Sequence, residues 1–232
     1  MFKNLRYDIK AIKERDPAAR NSMEILLLYS GLHAVIYHRI AKWFYVRKMF
    51  FIARMISQNA KFLTGVEIHP GAQIGKGLLI DHGSGVVIGE TAVIGDNCTI
   101  YQGVTLGGTG KHSGKRHPTI GNNVMIGSGA KVLGPFNVGD NAKIAAGAVV
   151  LKEVPEGATA VGVPARIIFP KQDSPCGQNK NQNNSVNETN DPCGKVDLDQ
   201  IHIPDPVAQE LIKLQCQITV LKQRLDESQN NK

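Results

Sequence analysis

Residues 120–150 read IGNNVMIGSGAKVLGPFNVGDNAKIAAGAVV, and their spacing decides the fold. Ile120, Ile126, Val132, Val138, Ile144 and Val150 fall six apart without a miss, and four of them are followed by Gly or Ala. Six matches neither the 3.6-residue repeat of a helix nor the two-residue alternation of a strand. It matches a chain that turns a corner every six residues and stacks coil on coil, so that neighbouring repeats bury what one repeat cannot. Three hexapeptides close one triangular coil of a left-handed parallel β-helix, and residues eighteen apart stand above one another. The same step runs upstream in other phases: Ile68, Ile74, Ile80 and Val86, then Ile88, Ile94, Ile100 and Leu106. Coils are therefore expected over residues 64–169, broken once by GGTGKHSGKRHP at Gly107–Pro118. A basic, glycine-rich loop thrown from a regular solenoid is where function tends to sit.

Outward from the coils the pattern changes. Residues 1–63 carry helical spacing, with Leu27, Ser30, Ala34, Tyr37, Ala41 and Phe44 recurring at three and four from Met23 onward. Asp16-Pro17 predicts a helix stop and restart, with Asp16 as the cap. The aromatic group Tyr37, Trp43, Phe44, Tyr45, Phe50 and Phe51 reads as packing. The fold class is thus α+β, a helical domain followed by the β-helix. Residues 170–205 are rich in Asn and Gln and read as a disordered linker, since they hold too little apolar surface to offset ordering. Over 206–228, Val207, Leu211, Leu214, Ile218, Leu221 and Leu225 mark an amphipathic helix that either forms a coiled-coil seam or packs on its own subunit.

The net charge of +7 is uneven: residues 1–65 hold 12 Lys or Arg against 4 Asp or Glu. No nucleic-acid motif accompanies this surplus, and the charges interleave with apolar residues as on a solvated helix face. No nucleic-acid or membrane partner is expected. The apolar run Ile25–Tyr37 is too short to span a bilayer. Four cysteines (Cys98, Cys176, Cys193, Cys216) show no metal-type spacing, and no signal peptide opens the chain, so reduced cytoplasmic thiols are expected.

Chemistry shows where polar groups displace expected small or aliphatic ones. After Ile80 come Asp81 and His82, with Glu67, His69 and Glu90 in neighbouring coils. A histidine with a carboxylate in reach is a general-base pair suited to neutral pH. His82, His112 and His117 also offer the three histidines of a zinc site like that of β-helical carbonic anhydrases. A sugar O-acetyltransferase would share the histidine but not Arg116-His117 beside Asp81, and a non-catalytic trimeric scaffold would need none of these groups.

The pieces IDH (80–82), GET (89–91), TLGGTGK (105–111) and KRHP (115–118), in that order, resemble serine O-acetyltransferase. So do AAGAVVLKEVPEGATAVGVPARI and the upstream RDPAARNSMEILLLYSGLHAVIYHRIAKWF, and the likeness runs from about Ile9 to Phe169. The resemblance implies acetyl transfer from acetyl-CoA to the hydroxyl of L-serine in a ternary complex, the first step of cysteine biosynthesis. It implies His82 as the base and Glu67 as its partner, where the family usually has Asp. Arg116 and His117 are implied to hold the serine carboxylate, with Asp16 and Asp81 receiving its ammonium group; Glu90 is counted with the substrate residues. Gly107, Gly108, Thr109, Gly110 and Lys111 are implied to cover the donor, with Ala130 and Ala148 beside its pantetheine arm. Acetyl-CoA is a co-substrate; no permanently bound cofactor and no metal are expected. The resemblance further implies a homotrimer, with a hexamer open, and L-cysteine as feedback inhibitor. Because the last residues are Asn230-Asn231-Lys232 rather than ending in Ile, a sulfhydrylase complex through the C-terminus is not expected.

Overall fold

The computed structural model describes residues 2–110 and 113–169, together with residue 218. The linker expected at 170–205 and the helix expected at 206–228 lie, apart from that one residue, outside the described residues.

Four helices open the chain: α1 (Phe2–Arg15), α2 (Ser22–Leu28), α3 (Ser30–Val46) and α4 (Phe50–Thr64). The helix stop after Arg15 is where Asp16-Pro17 placed it, but the next cap is Asn21, whose side chain accepts from the Glu24 N–H at 2.8 Å. Asp16 instead shapes the intervening turn by accepting from the Ala18 N–H. The expected helix face is also broken, because Tyr29 interrupts it and leaves Leu27 exposed; Ile25, Gly31, Leu32, Ala34, Val35, His38 and Ala41 are the buried residues. The aromatic group is only partly packed: Trp43 meets Phe44 edge-on and Tyr45 meets Phe50, while Phe51 is 82% exposed.

The rest is a parallel β-helix with three faces. The first holds β1 (Glu67–Ile68), β4 (Val87–Ile88), β7 (Thr105–Gly107), β10 (Lys131–Leu133) and β13 (Val149–Val150). The second holds β2 (Gln73–Ile74), β5 (Val93–Ile94), β8 (Thr119–Ile120) and β11 (Asn137–Val138). The third holds β3 (Leu79–Asp81), β6 (Thr99–Tyr101), β9 (Met125–Ile126), β12 (Lys143–Ile144) and β14 (Thr159–Val161), closed by antiparallel β15 (Arg166–Ile168). All six residues of the opening ladder are buried in one continuous core, as are Ile88, Ile94, Ile100 and Leu106. Where a glycine follows the aliphatic residue it has a steric cause: a Cβ on Gly95 would stand 2.6 Å from the Gly121 carbonyl oxygen of the next coil.

The register breaks three times, not once, the last being a deficit of two residues that makes Lys143 pair with Thr159, a step of sixteen. Val87 pairs with Thr105 and Lys131 with Val149, the regular step of eighteen. Glu67, however, pairs with Val87, a step of twenty, and Thr105 with Lys131, a step of twenty-six. The first excess of two residues falls after β3, at the corner between the third and first faces. The second, of eight, falls between β7 and β8, at the corner between the first and second faces.

The helices dock on the third face and on β1. Gly31 of α3 lies against β3 so closely that a Cβ there would meet the Ile80 carbonyl oxygen at 2.1 Å. Arg15 donates to the Asn97 and Cys98 carbonyls, each at 3.0 Å, to Thr99 Oγ1 at 2.9 Å and to the Gly77 carbonyl. Buried Asp8 accepts from the Gly77 N–H and from Arg39, joining α1, α3 and the coils.

Candidate active site

The two-residue excess after β3 displays His82. Its φ is +52°, a conformation in which non-glycine side chains are uncommon, and its side chain is 80% exposed. Other corner positions with positive φ are filled by Gly85, Gly103, Gly129 and Gly147 or by Asn97, Asn123 and Asn141, the residues that tolerate it best. A histidine there gives up backbone comfort for an imidazole held clear of the prism. Asp81 Oδ1 stands 3.8 Å from His82 Nε2, an ion-pair distance too long for a direct hydrogen bond.

Among the described residues no hydrogen bond joins Glu67 to His82. Its two carboxylate oxygens are taken by Lys61 at 2.7 Å and Arg54 at 3.3 Å, both from α4. The hydrogen bond from Lys61 is the largest influence on its carboxyl, which lies below the usual range despite partial burial. The extra methylene of Glu over Asp lets the carboxylate reach these cations, and Glu67 becomes a tie between α4 and β1.

Asp16 gathers beside Asp81 through Tyr29. The Tyr29 hydroxyl donates to Asp16 Oδ2 at 2.5 Å. Burial first, then that bond and the charges of Asp16, Glu24 and Asp81, push the phenol up to about 12. The α1–α2 turn thus walls the His82 corner with acid.

The other polar cluster occupies the corner between the first and second faces. Arg116 donates to Glu90 Oε2 at 2.7 Å, and Tyr45 of α3 donates to Glu90 Oε1 at 3.2 Å. His69 packs edge-on against Tyr45 and accepts the Gly71 N–H at Nδ1. His117 is buried, with Nδ1 facing both the N–H and the hydroxyl of Thr91. Burial is the largest influence on both imidazoles and lowers them, with the Arg116 charge adding to it, so both rings are neutral at pH 7. A cleft of about 380 Å³ opens beside this cluster between Tyr45, Gln73, Glu90, Thr91 and Lys115.

The two clusters stand at opposite edges of the first face. Within one chain, Arg116-His117 is therefore not beside Asp81. Within one chain His82 and His117 occupy different corners and cannot share a zinc ion, and His112 lies outside the described residues. Gly107 begins the loop at the end of β7, and Gly108, Thr109 and Gly110 follow it exposed, but Lys111 lies outside the described residues. Ala130 and Ala148 are fully buried, and their N–H and C=O groups are spent on the coils. They cannot offer a contact to a donor, whereas Ser128 and Ala146, two residues earlier, face outward at the same corner. The corner itself explains the displacement by two: Gly129 and Gly147, at positive φ, turn the chain between the outer residue and the buried alanine. Sequence reasoning also missed Tyr45 and Thr91; the Thr of GET carried no signal on its own.

The N-terminal region, residues 1–36, matches the family model described as "Serine acetyltransferase, N-terminal", and residues 117–152 match "Bacterial transferase hexapeptide (six repeats)". The serine acetyltransferase of Bacillus licheniformis is 52% identical over 224 residues, which cover 97% of this chain and 95% of the relative. The chain belongs to the serine acetyltransferase family. Another member, from Helicobacter pylori, is 60% identical over 165 residues, covering 71% of this chain and 96% of the relative. Among solved structures of the family, Neisseria gonorrhoeae serine acetyltransferase in complex with serine superposes with a TM-score of 0.70 at 47% identity, covering 72% of this chain and 68% of that one. A family structure described as a complex with cysteine gives a TM-score of 0.72 at 45% identity, covering 74% and 67% of the two chains.

Proposed function

We propose that this chain transfers the acetyl group of acetyl-CoA to the hydroxyl of L-serine, giving O-acetyl-L-serine and CoA, the first step of cysteine biosynthesis. The observation that carries the reading is His82, held clear of the coils beside Asp81 with the acid of Asp16 nearby. His82 takes the proton of the serine hydroxyl as its oxygen attacks the thioester carbonyl. The C–S bond then breaks, CoA leaves as thiolate, and His82 returns the proton to sulfur. Asp81 and Asp16 receive the substrate ammonium. Arg116, with its planar fork, and neutral His117, which donates from Nε2, hold the carboxylate. Gly107–Gly110 and Lys111 cover the donor, whose pantetheine arm runs past the outward corner residues Ser128 and Ala146.

Because the base and the carboxylate clamp stand at different corners of one prism, the complete site takes one corner from each of two copies. Three copies around an axis satisfy every corner once, so the assembly is a homotrimer, and a hexamer of two such trimers uses the same sites. L-cysteine shares the amino and carboxylate groups of serine and competes at the same clamp as a feedback inhibitor. Among the described residues no helix is long and apolar enough to cross a membrane, and we place the enzyme in the cytoplasm.

Thiol release from acetyl-CoA, measured across L-serine, homoserine and sugars, tests the reading. Serine should be the preferred acceptor, and His82→Asn, which keeps a residue tolerant of positive φ, should lower kcat about 10²–10⁴-fold. Unchanged turnover in that variant would remove His82 as the base.

A further inference from the structure

We propose that Thr91 is the positioning residue of the substrate clamp, setting the direction in which Arg116 and His117 face serine. The inference rests on the clamp reading above and adds to it a residue that touches no substrate.

Coil register brings the parts together. Val93 pairs with Thr119, so Thr91 stands above His117 across the twenty-six-residue coil. Thr91 Oγ1 accepts the Arg116 backbone N–H at 3.0 Å and the His117 backbone N–H at 3.2 Å, and lies 2.8 Å from His117 Nδ1. A hydroxyl has one proton and two lone pairs. Both lone pairs meet backbone donors, so the proton goes to Nδ1. The Thr91 N–H also reaches Nδ1, at 3.2 Å. Nδ1 therefore carries no proton in the neutral ring, and Nε2–H is left as the donor available to a carboxylate. A third link comes from Lys115, whose Nζ donates to the Thr91 carbonyl at 2.7 Å.

One threonine thus ties Lys115, Arg116 and His117, near the end of the inserted loop, to the preceding coil. The eight extra residues start from β7 and must return to β8 in register. Without a knot at the return, Arg116 and His117 would inherit the loop's freedom. Ordering a guanidinium before substrate arrives removes an entropy cost from binding, and a misplacement of about 1 Å can cost 10²-fold in rate.

The test compares Thr91→Val, which keeps shape but loses all three hydroxyl contacts, with Thr91→Ser, which keeps them. Thr91→Val should raise KM for L-serine about tenfold or more and lower kcat/KM for serine by about 10²-fold. Its KM for acetyl-CoA and its thermal midpoint should stay near wild type. Thr91→Ser should restore serine KM to within about threefold of wild type, since it regains every bond. Should Thr91→Val fold poorly, Thr91→Ala serves the same comparison. An unchanged serine KM overturns the proposal. So does an equal rise in both KM values with a lower midpoint, the mark of a merely structural threonine. Wild-type protein inert toward serine would remove the clamp reading and this proposal with it; an active wild type with an indifferent Thr91→Val sinks this proposal alone.

Discussion

At the scale of single residues, burial gives the histidines of this chain different environments. His38 of α3 is buried, its Nε2 donating to the Ala72 carbonyl at 3.2 Å while Nδ1 has no partner among the described residues. Burial, then the charge of Lys42, takes its pKa down to about 3, with Arg39 and His69 pushing the same way. The unfolded chain would bind a proton near 6.5 that the folded chain refuses. Stability from this group is therefore fully present above about pH 6.5 and is lost as the pH falls toward 3, by at most about 1.4 kcal/mol per pH unit. His38→Gln keeps a donor for Ala72 without titrating. Chemical-denaturation midpoints between pH 4 and 7 should fall less steeply in that variant than in wild type, and parallel slopes would refute the assignment. His82 shows the opposite use of the same residue type. It is exposed and sits on backbone of positive φ.

At the scale of elements, the helices position the chemistry by where they touch the coils. α3 presses Gly31 onto β3, and β3 ends at Asp81-His82. Gly31→Val has no room for even its Cβ against the Ile80 carbonyl. It should cost about 1–3 kcal/mol in stability and lower kcat with it, read by thermal midpoint and turnover. Further along α3, Tyr45 bonds the Glu90 that holds Arg116, so Tyr45→Phe should raise KM for serine about threefold to tenfold and leave KM for acetyl-CoA unchanged. An equal change in both constants would show that Tyr45 only packs.

Much of the element plan was legible beforehand. Ile120 to Val150 could be read because a period of six has one solution, and Gly107–Pro118 because it breaks that period. The slip from Val86 to Ile88 was visible as a change of phase, yet its meaning, a corner two residues longer that puts His82 outside, emerges only from the pairing of Glu67 with Val87. The other partners of Glu67 were hidden for a related reason. Sequence shows an acid near a histidine, but it cannot show that Lys61 and Arg54 of α4 reach the carboxylate first. Ala130 and Ala148 failed because small size suits both sides of a corner, and spacing does not say which side faces out.

At the scale of the whole molecule, the division of the site between two corners has a consequence that single-chain reasoning cannot mimic. His82 belongs to the third–first corner and Arg116 to the first–second corner, on opposite edges of the first face. If each active site borrows one corner from each of two copies, a chain lacking His82 still has a sound clamp, and a chain lacking Arg116 still has a sound base. Homotrimers of His82→Asn or of Arg116→Ala should each be nearly inactive. Unfolding and refolding the two variants together at equal amounts lets copies mix. Each site then joins an intact base to an intact clamp with a chance of one half for each, so about a quarter of wild-type activity should return in random closed trimers. The same variants refolded apart and combined afterwards should recover none until subunits exchange. Failure to regain activity in the mixed sample, with trimers present by light scattering, would mean that base and clamp act within one chain and that the prism must bring its two corners together by some other route.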